Sequence, residues 1–144
     1  MSKQKKVRLA LRDKEMQKGI SNHQIYDATR RRVLTKFGDK EFFLEVEEAK
    51  GIKKFVGLMF KRRDTDNLIF YFSRNESVAI HSFFVWFKFL AVWLDEQNNV
   101  VDLTVVRPFR FYVLPKKKAR KLIELPFNDD NKKLIDFFVG KTKI

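Results

Sequence analysis

The side chains in this sequence with the clearest potential for binding chemistry are lysines and arginines that follow one another in runs. The chain has 31 Lys and Arg residues against 18 Asp and Glu residues, a formal net charge of +13. Neighbouring cations repel each other, and a bound phosphate backbone removes that repulsion because it supplies the opposite charge. A solvated surface on a lysine-rich protein is the alternative interpretation. The predicted nucleic-acid-binding residues are Lys3, Lys5, Lys6, Arg8, Arg30, Arg31, Arg32, Lys61, Arg62, Arg63, Arg107, Arg110, Phe111, Lys116, Lys117, Lys118, Arg120 and Lys121.

One of these segments combines positive charge with aromatic rings. Phe109, Phe111 and Tyr112 interleave with Arg107 and Arg110 in the sequence RPFRFY. Exposed aromatic rings are platforms on which the bases of single strands stack, and the arginines can contact phosphates. The alternative is a strand at the edge of the core whose phenylalanines point inward, and the sequence leaves both interpretations open.

The positive charge is concentrated at the two ends of the chain. Residues 1–40 contain 12 basic and 4 acidic residues, residues 115–144 contain 9 and 4, and the residues between them contain 10 of each. Evenly spread charge keeps a protein soluble, whereas clustered charge produces a field that a polyanion can use. We therefore expect a nucleic acid as the partner, with RNA favoured over DNA. An anionic membrane surface or an acidic protein is the alternative.

Enzymatic chemistry has little support in the sequence. Cysteine is absent, so a metal site would need the two distant histidines, His23 and His81, together with carboxylates. Five glycines do not form either of the common phosphate-binding loops. We expect a non-enzymatic module without a cofactor, in which His81 is a structural residue on a core strand. The alternative is a small-ligand-binding sandwich or a hydrolase with a pocket near His81.

The elements that must position these residues are mainly strands. Alternating apolar residues on both sides of a glycine turn predict a β-hairpin over residues 31–48, and apolar residues at helical spacing predict one short helix over residues 49–58. Further strands are predicted over residues 68–72, 78–85, 87–94, 100–106 and 121–125, followed by a helical turn at 129–136 and a last strand at 138–144. These elements predict an all-β domain over residues 31–144, preceded by a basic N-terminal extension over residues 1–30.

The aromatic segment from Ile80 to Leu94 is predicted to form the middle of the core. Its apolar runs on either side of Lys88 are too short for a spanning helix, which needs about 20 mostly apolar residues. We therefore expect no transmembrane segment. The absence of cysteine and of a signal-peptide pattern near the N terminus favours a cytoplasmic location.

Four segments occur in an order that is typical of a known family. They are Gly57-Leu58-Met59-Phe60, Leu68 to Phe72, Ile80 to Asp102, and Leu122-Ile123-Glu124-Leu125-Pro126. Together they resemble the small all-β family catalogued as domain of unknown function 192, over about residues 33–144. The resemblance implies a jelly-roll-like β-sandwich with one short helix, and no established activity or cofactor. Family members commonly carry an aspartate where this chain has Leu90, and a Gly-Asp pair where it has Gly140-Lys141.

Overall fold

The computed structural model describes residues 30–142, which form one six-stranded sheet and two helices. The strands are β1 (Arg30–Phe37), β2 (Lys40–Glu48), β3 (Leu68–Glu76), β4 (Phe89–Leu94), β5 (Val100–Val106) and β6 (Ala119–Pro126), and the helices are α1 (Lys53–Val56) and α2 (Lys132–Thr142). The strand order is β1-β2-β3-β6-β4-β5, and only β2 and β3 pair in parallel. The all-β prediction is confirmed. The predicted extension, with Lys3, Lys5, Lys6 and Arg8, lies outside the described residues apart from Arg30.

The hairpin predicted over residues 31–48 is confirmed as β1 and β2. Gly38 and Asp39 make the turn between them. Gly38 has a φ of +64°, which a glycine adopts without the Cβ clash of other residues. Alternate side chains of the two strands, such as Val33 and Leu44, are buried because successive residues of a strand point to opposite faces.

Strand β4 lies in the middle of the core, and all six of its residues are buried. Leu90, Val92 and Leu94 belong to one apolar cluster, and Phe89, Ala91 and Trp93 to a second. Ile135 and Phe138 of α2 cover the first face of the sheet. The segments 49–59 and 78–88 cover the second face. The core prediction for the segment from Ile80 to Leu94 is therefore confirmed for β4.

The sheet curls into a half-barrel. The backbone N–H of Lys36, near the end of β1, donates to the carbonyl of Asn98 over 2.9 Å, in the turn before β5. The two edge strands are thereby brought together. All six strands belong to this one sheet, so the predicted jelly-roll sandwich, which needs two packed sheets, is not confirmed.

Four predicted elements are wrong or shorter, and one of them, the strand predicted over residues 87–94, begins only at Phe89. Residues 138–142 belong to α2 instead of a last strand, because Ile135 and Phe138 bury one helical face against the sheet. Residues 78–85 form a loop with one isolated bridge, between Ile80 and Val113, instead of a strand. The predicted helix over 49–58 is reduced to α1, which ends at Gly57, where φ is +53°. No helix within residues 30–142 is long and apolar enough to cross a membrane.

Candidate functional site

Four aromatic rings form an exposed cluster at one side of the sheet. Phe60 stacks on Phe84 with 5.0 Å between ring centroids, Phe84 lies 6.2 Å from Phe109, and Phe109 lies 4.6 Å from Trp86. Phe60 is 67% exposed and Trp86 is 66% exposed. We call Phe60, Phe84, Trp86 and Phe109 the aromatic cluster. A contiguous exposed apolar patch usually marks a binding surface.

The backbone of the aromatic cluster is strained. Phe60, Phe84 and Phe109 have φ angles of +60°, +54° and +57°, and they are three of the four non-glycine residues with positive φ among residues 30–142. A left-handed conformation costs a residue with a Cβ roughly 1–2 kcal/mol. The fourth, Asn98, lies in a turn, where asparagine tolerates this conformation. Three of the four positive φ angles at non-glycine residues within residues 30–142 therefore lie in this exposed cluster.

Backbone hydrogen bonds hold the three strained residues in place. The N–H of Phe60 donates to the carbonyl of Phe84 over 2.9 Å, which joins the segment after α1 to the loop 78–88. The N–H of Phe109 donates to the carbonyl of Ser82 over 2.9 Å. The cluster is therefore assembled from three chain segments that are fixed to one another.

Ser82 is the buried residue that joins two of these segments. Its Oγ donates to the carbonyl of Arg107 over 2.6 Å and accepts from the N–H of Arg110 over 2.7 Å. Its own N–H donates to the carbonyl of Arg110 over 2.9 Å. Ser82 thus ties the RPFRFY segment to the loop 78–88, and its hydroxyl has both a donor and an acceptor partner within the fold.

Cations border the aromatic cluster. Lys61, Arg62 and Arg63 follow Phe60 directly, and together with Trp86 and Lys88 they line an open depression. Arg107 and Arg110 flank Phe109 in the sequence, and both are exposed. Arg62 lies 3.7 Å from Asp64, but both side chains are highly exposed, so this ion pair contributes little. Lys61, Arg62, Arg63, Lys88, Arg107 and Arg110 are called the flanking cations below.

The exposure of the aromatic side chains in the RPFRFY segment distinguishes its two interpretations, a stacking surface and a core edge strand. Phe111 is 77% exposed, and Tyr112 is also exposed, so the interpretation as a core edge strand is wrong for both. The ring of Phe111 packs edge-on against Phe83, with 4.8 Å between centroids. Phe111 therefore has a defined orientation although most of its surface faces solvent.

Other predicted binding residues lie elsewhere on the sheet. Arg30, Arg31 and Arg32 on β1 contact Asp66, Glu48 and Phe43, respectively. Lys116, Lys117 and Lys118 are exposed in the segment before β6, and Arg120 is half-buried on β6. Lys121 donates to Glu96 and Asn98 in the turn before β5, and burial lowers its pKa. The structure thus brings Lys61, Arg62, Arg63, Arg107 and Arg110 to the aromatic cluster.

Five residues of this site were not among the predicted binding residues: Phe60, Phe84, Trp86, Lys88 and Phe109. Of these, the sequence analysis considered only Phe109 as a possible stacking platform, within the RPFRFY segment. The loop 78–88 was interpreted as strands, where every aromatic residue would be core material. In the structure Val85 and Phe87 are buried while Phe84 and Trp86 are exposed, an alternation that a continuous apolar run conceals.

His81 does not occupy the predicted core position. It is exposed, and its Nδ1 accepts a hydrogen bond from the N–H of Phe83 over 3.2 Å. It lies instead beside a cavity of about 230 Å³. Glu124 also lines this cavity, and burial raises the pKa of its carboxyl group to about 8. Within residues 30–142, no group of three or more histidine, aspartate or glutamate side chains could hold a metal ion.

Comparison with known sequences identifies the family. The chain is 39% identical over 90 residues to a UPF0127 protein of Pyrococcus furiosus, a match that covers 60% of this chain and 76% of that protein. The chain belongs to the UPF0127 family. A UPF0127 protein of Pyrococcus horikoshii is 38% identical over 76 residues, covering 52% of this chain and 65% of that protein. No family model matches, so the resemblance to domain of unknown function 192 is not confirmed.

Two solved structures share the fold of this UPF0127 family member. A "putative transcription regulator" from Sinorhizobium meliloti has a TM-score of 0.60 at 17% identity, covering 73% of this chain and 84% of that chain. A protein of unknown function from Novosphingobium aromaticivorans has a TM-score of 0.58 at 13% identity, covering 73% and 78%. Similarity at this level of identity shows the fold alone.

Proposed function

We propose that the protein is a non-enzymatic module that binds single-stranded nucleic acid, with RNA favoured over DNA, through the aromatic cluster and the flanking cations. The observation that carries the proposal is the position of four exposed, mutually contacting rings beside six cationic side chains. Bases stack on aromatic rings whatever their identity, and each stacked base contributes about 1–3 kcal/mol. The cations contact the phosphates between the bases.

The geometry favours a single strand over a duplex. A nucleic-acid base can stack on Phe60 or Trp86 only if one face of the base is free. In a duplex, the neighbouring base pairs cover both faces of an interior base. The rings project from loops instead of forming a helix that could enter a groove. Single strands, loops and frayed ends are therefore the expected ligands.

A protein partner is the competing explanation for exposed aromatic rings. The charge favours a polyanion, because the flanking cations are six positive side chains and the ion pair that Arg62 forms with Asp64 is highly exposed. An apolar protein surface would have to cover those cations, and the desolvation of unpaired charges opposes such an interface. Binding to a protein and failure to bind nucleic acid would contradict the proposal.

The experiment compares two exposed phenylalanines. Phe60 belongs to the aromatic cluster, whereas Phe55 on α1 is 83% exposed and is in ring contact with no other aromatic residue within residues 30–142. We expect Phe60→Ala to weaken binding of a fluorescein-labelled 12-nucleotide single-stranded RNA by about 5- to 150-fold, because one stacked base is lost. Phe55→Ala should leave the affinity unchanged. Equal effects of the two substitutions, or no binding by the wild type, would contradict the proposal.

Two further binding measurements compare the single-stranded RNA with duplex RNA and with single-stranded DNA. The same RNA sequence annealed to its complement should bind less tightly at equal salt, because its bases are no longer free to stack. The matching single-stranded DNA should bind more weakly than the RNA if contacts to the 2′-hydroxyl contribute. Duplex binding as tight as single-strand binding would assign the interaction to charge alone and would refute the stacking role.

A further inference from the structure

A glutamate carboxyl group, that of Glu124, is buried beside an apolar cavity in the core of this protein. Glu124 lies on β6 in the middle of the sheet, paired with Leu68 on β3 and Ala91 on β4. The cavity has a volume of about 230 Å³, and most of the residues that line it are apolar, among them Phe70 and Phe89. Apart from Lys54 and His81, which are exposed, Glu124 is the polar side chain among the residues that line the cavity.

The carboxyl group of Glu124 has no partner that explains its burial. Its Oε2 is buried and makes no hydrogen bond within the described part of the chain. An unpartnered buried polar group costs a protein roughly 1–3 kcal/mol, and an apolar side chain at the same place would avoid that cost. The side chain is only 5% exposed, so solvent does not satisfy it. A binding role accounts for a glutamate that the fold itself does not use.

The glycine opposite Glu124 leaves space beside the carboxyl group. Gly57 follows α1 with a φ of +53°, and a Cβ placed there would lie 3.5 Å from Oε2 of Glu124. Any larger side chain at this position would fill the space in front of the carboxyl group. Four exposed residues among those lining the cavity mark its opening: Lys54, Phe55, Ala79 and His81.

We infer that this cavity binds a small neutral molecule that carries an amide group on an apolar body. A protonated carboxyl group offers one O–H donor and one C=O acceptor side by side. An amide offers the complementary C=O and N–H, so two hydrogen bonds form and no charge enters the apolar cavity. The volume is sufficient, since an apolar cavity of about 150 Å³ binds benzene.

Charged ligands fit the cavity less well. An ammonium ligand would create a buried ion pair, whose desolvation cost offsets its attraction, and Lys54 at the opening would repel it. A carboxylate ligand would bring an uncompensated charge into an apolar interior. Burial raises the pKa of Glu124 to about 8, which agrees with an environment that favours neutral partners.

The test uses three probes of similar size: benzamide, toluene and benzylamine. Isothermal titration calorimetry on the full chain should show benzamide binding at least about tenfold more tightly than toluene, because it adds two hydrogen bonds. Benzylamine should bind less tightly than benzamide. Equal affinities for benzamide and toluene, or no binding of benzamide at millimolar concentration, would overturn the inference.

Two substitutions at Glu124 separate its role from a structural effect. Glu124→Gln retains an amide that can pair with the probe, so benzamide should still bind within a few-fold of wild type. Glu124→Leu removes the pairing, so the preference for benzamide over toluene should disappear. Glu41→Leu, at an exposed position of β2, is the matched control and should change neither affinity. Retained benzamide preference in Glu124→Leu would contradict the inference.

A measurement on the wild type alone provides an independent test if a variant fails to fold. Benzamide affinity should fall as the pH rises through about 8, because a carboxylate has lost the O–H donor. The other titratable side chains lining the cavity are Lys54 and His81, both at the opening, and its neighbours on β3 and β4 are apolar. The His81→Asn variant should lose benzamide affinity over the same pH range as wild type, because Glu124 and not His81 is the group that loses its proton. An affinity that does not change between pH 6 and pH 10 would contradict the inference.

The cavity is separate from the proposed nucleic-acid site. None of the four rings of the aromatic cluster lines it. Phe60→Ala should therefore weaken RNA binding without changing benzamide binding, and Glu124→Leu should do the reverse. Failure of one proposal would leave the other standing.

Discussion

The buried carboxyl group of Glu124 should make the stability of the protein depend on pH in an unusual direction. Its pKa is about 8 in the folded protein, because burial penalises the charged form, compared with the ordinary value of 4.5. Below pH 4.5 the group is neutral in both the folded and the unfolded states. Between pH 4.5 and pH 8 it ionises in the unfolded state but stays protonated in the folded state. The free energy of unfolding contributed by this group therefore falls throughout that interval.

The size of this effect follows from the difference between the two pKa values. A shift from 4.5 to about 8 corresponds to a loss on the order of 5 kcal/mol between the two ends of the interval. That is a large fraction of the stability of a typical domain, which is about 5–15 kcal/mol. Most carboxyl groups act in the opposite sense, since pairing lowers their pKa and makes proteins more stable as the pH rises.

The assay is urea unfolding of the wild type and of Glu124→Gln at pH values from 4.5 to 9. Other titrating groups contribute almost equally to both proteins, so the difference between their free energies of unfolding isolates Glu124. We expect Glu124→Gln to become progressively more stable than wild type by several kcal/mol as the pH rises to about 8, and the difference to level off above it. Parallel curves over the whole range would refute the assignment of Glu124 as a buried, protonated group.

Three further predictions concern the proposed nucleic-acid site. Replacing Arg107 and Arg110 by Gln should reduce the slope of log affinity for single-stranded RNA against log salt by about 1.4, whereas Arg74→Gln on β3 should not change it. Phe111→Ala should lower the melting temperature only slightly, because the ring is mostly exposed. It should weaken binding of single-stranded RNA with little change in the slope of log affinity against log salt. A loss of about 3–5 kcal/mol of unfolding free energy would show a core role instead. Ser82→Ala should cost about 1–3 kcal/mol of unfolding free energy and weaken RNA binding, while Ser73→Ala, exposed on β3, should change neither measurement.

Local patterns in the sequence were sufficient to predict much of the fold. The hairpin around Gly38 and the strands β4 and β5 follow from alternating or continuous apolar residues between turn residues. The turn at residues 95–99 is also local, because Asp95 Oδ1 accepts from the N–H groups of Gln97 and Asn99 over 2.9 and 2.8 Å. These features depend on residues that are neighbours in the sequence, so the sequence of this one chain is sufficient to predict them.

The errors arise where distant packing decides the local structure. Residues 137–139 are Phe-Phe-Val, which favour a strand by propensity, yet they are helical because Ile135 and Phe138 bury against the sheet. The positive φ angles of Phe60, Phe84 and Phe109 have no sequence signal, because phenylalanine disfavours that conformation. The aromatic cluster could therefore be predicted only in part, through the RPFRFY segment.

Glu124 carried a signal that was available in the sequence. A single acidic residue within the apolar run Leu122 to Pro126 is uncommon, because glutamate is rarely buried without a partner. The sequence alone does not show that the carboxyl group faces a cavity, since that depends on Gly57 and on the loop 78–88 packing over β6. The position of the carboxyl group beside the cavity therefore depends on contacts between residues that are distant in the sequence.

The most direct test of the proposed function is the salt dependence of single-stranded RNA binding by the wild-type protein. Fluorescence anisotropy with a 12-nucleotide RNA would be measured from 50 to 300 mM KCl, beside the same strand in a duplex. If all six flanking cations contact phosphates, the log–log slope should approach about −4, and the single strand should bind more tightly than the duplex at every salt concentration. An affinity that is independent of salt, or tighter binding of the duplex, would contradict the account.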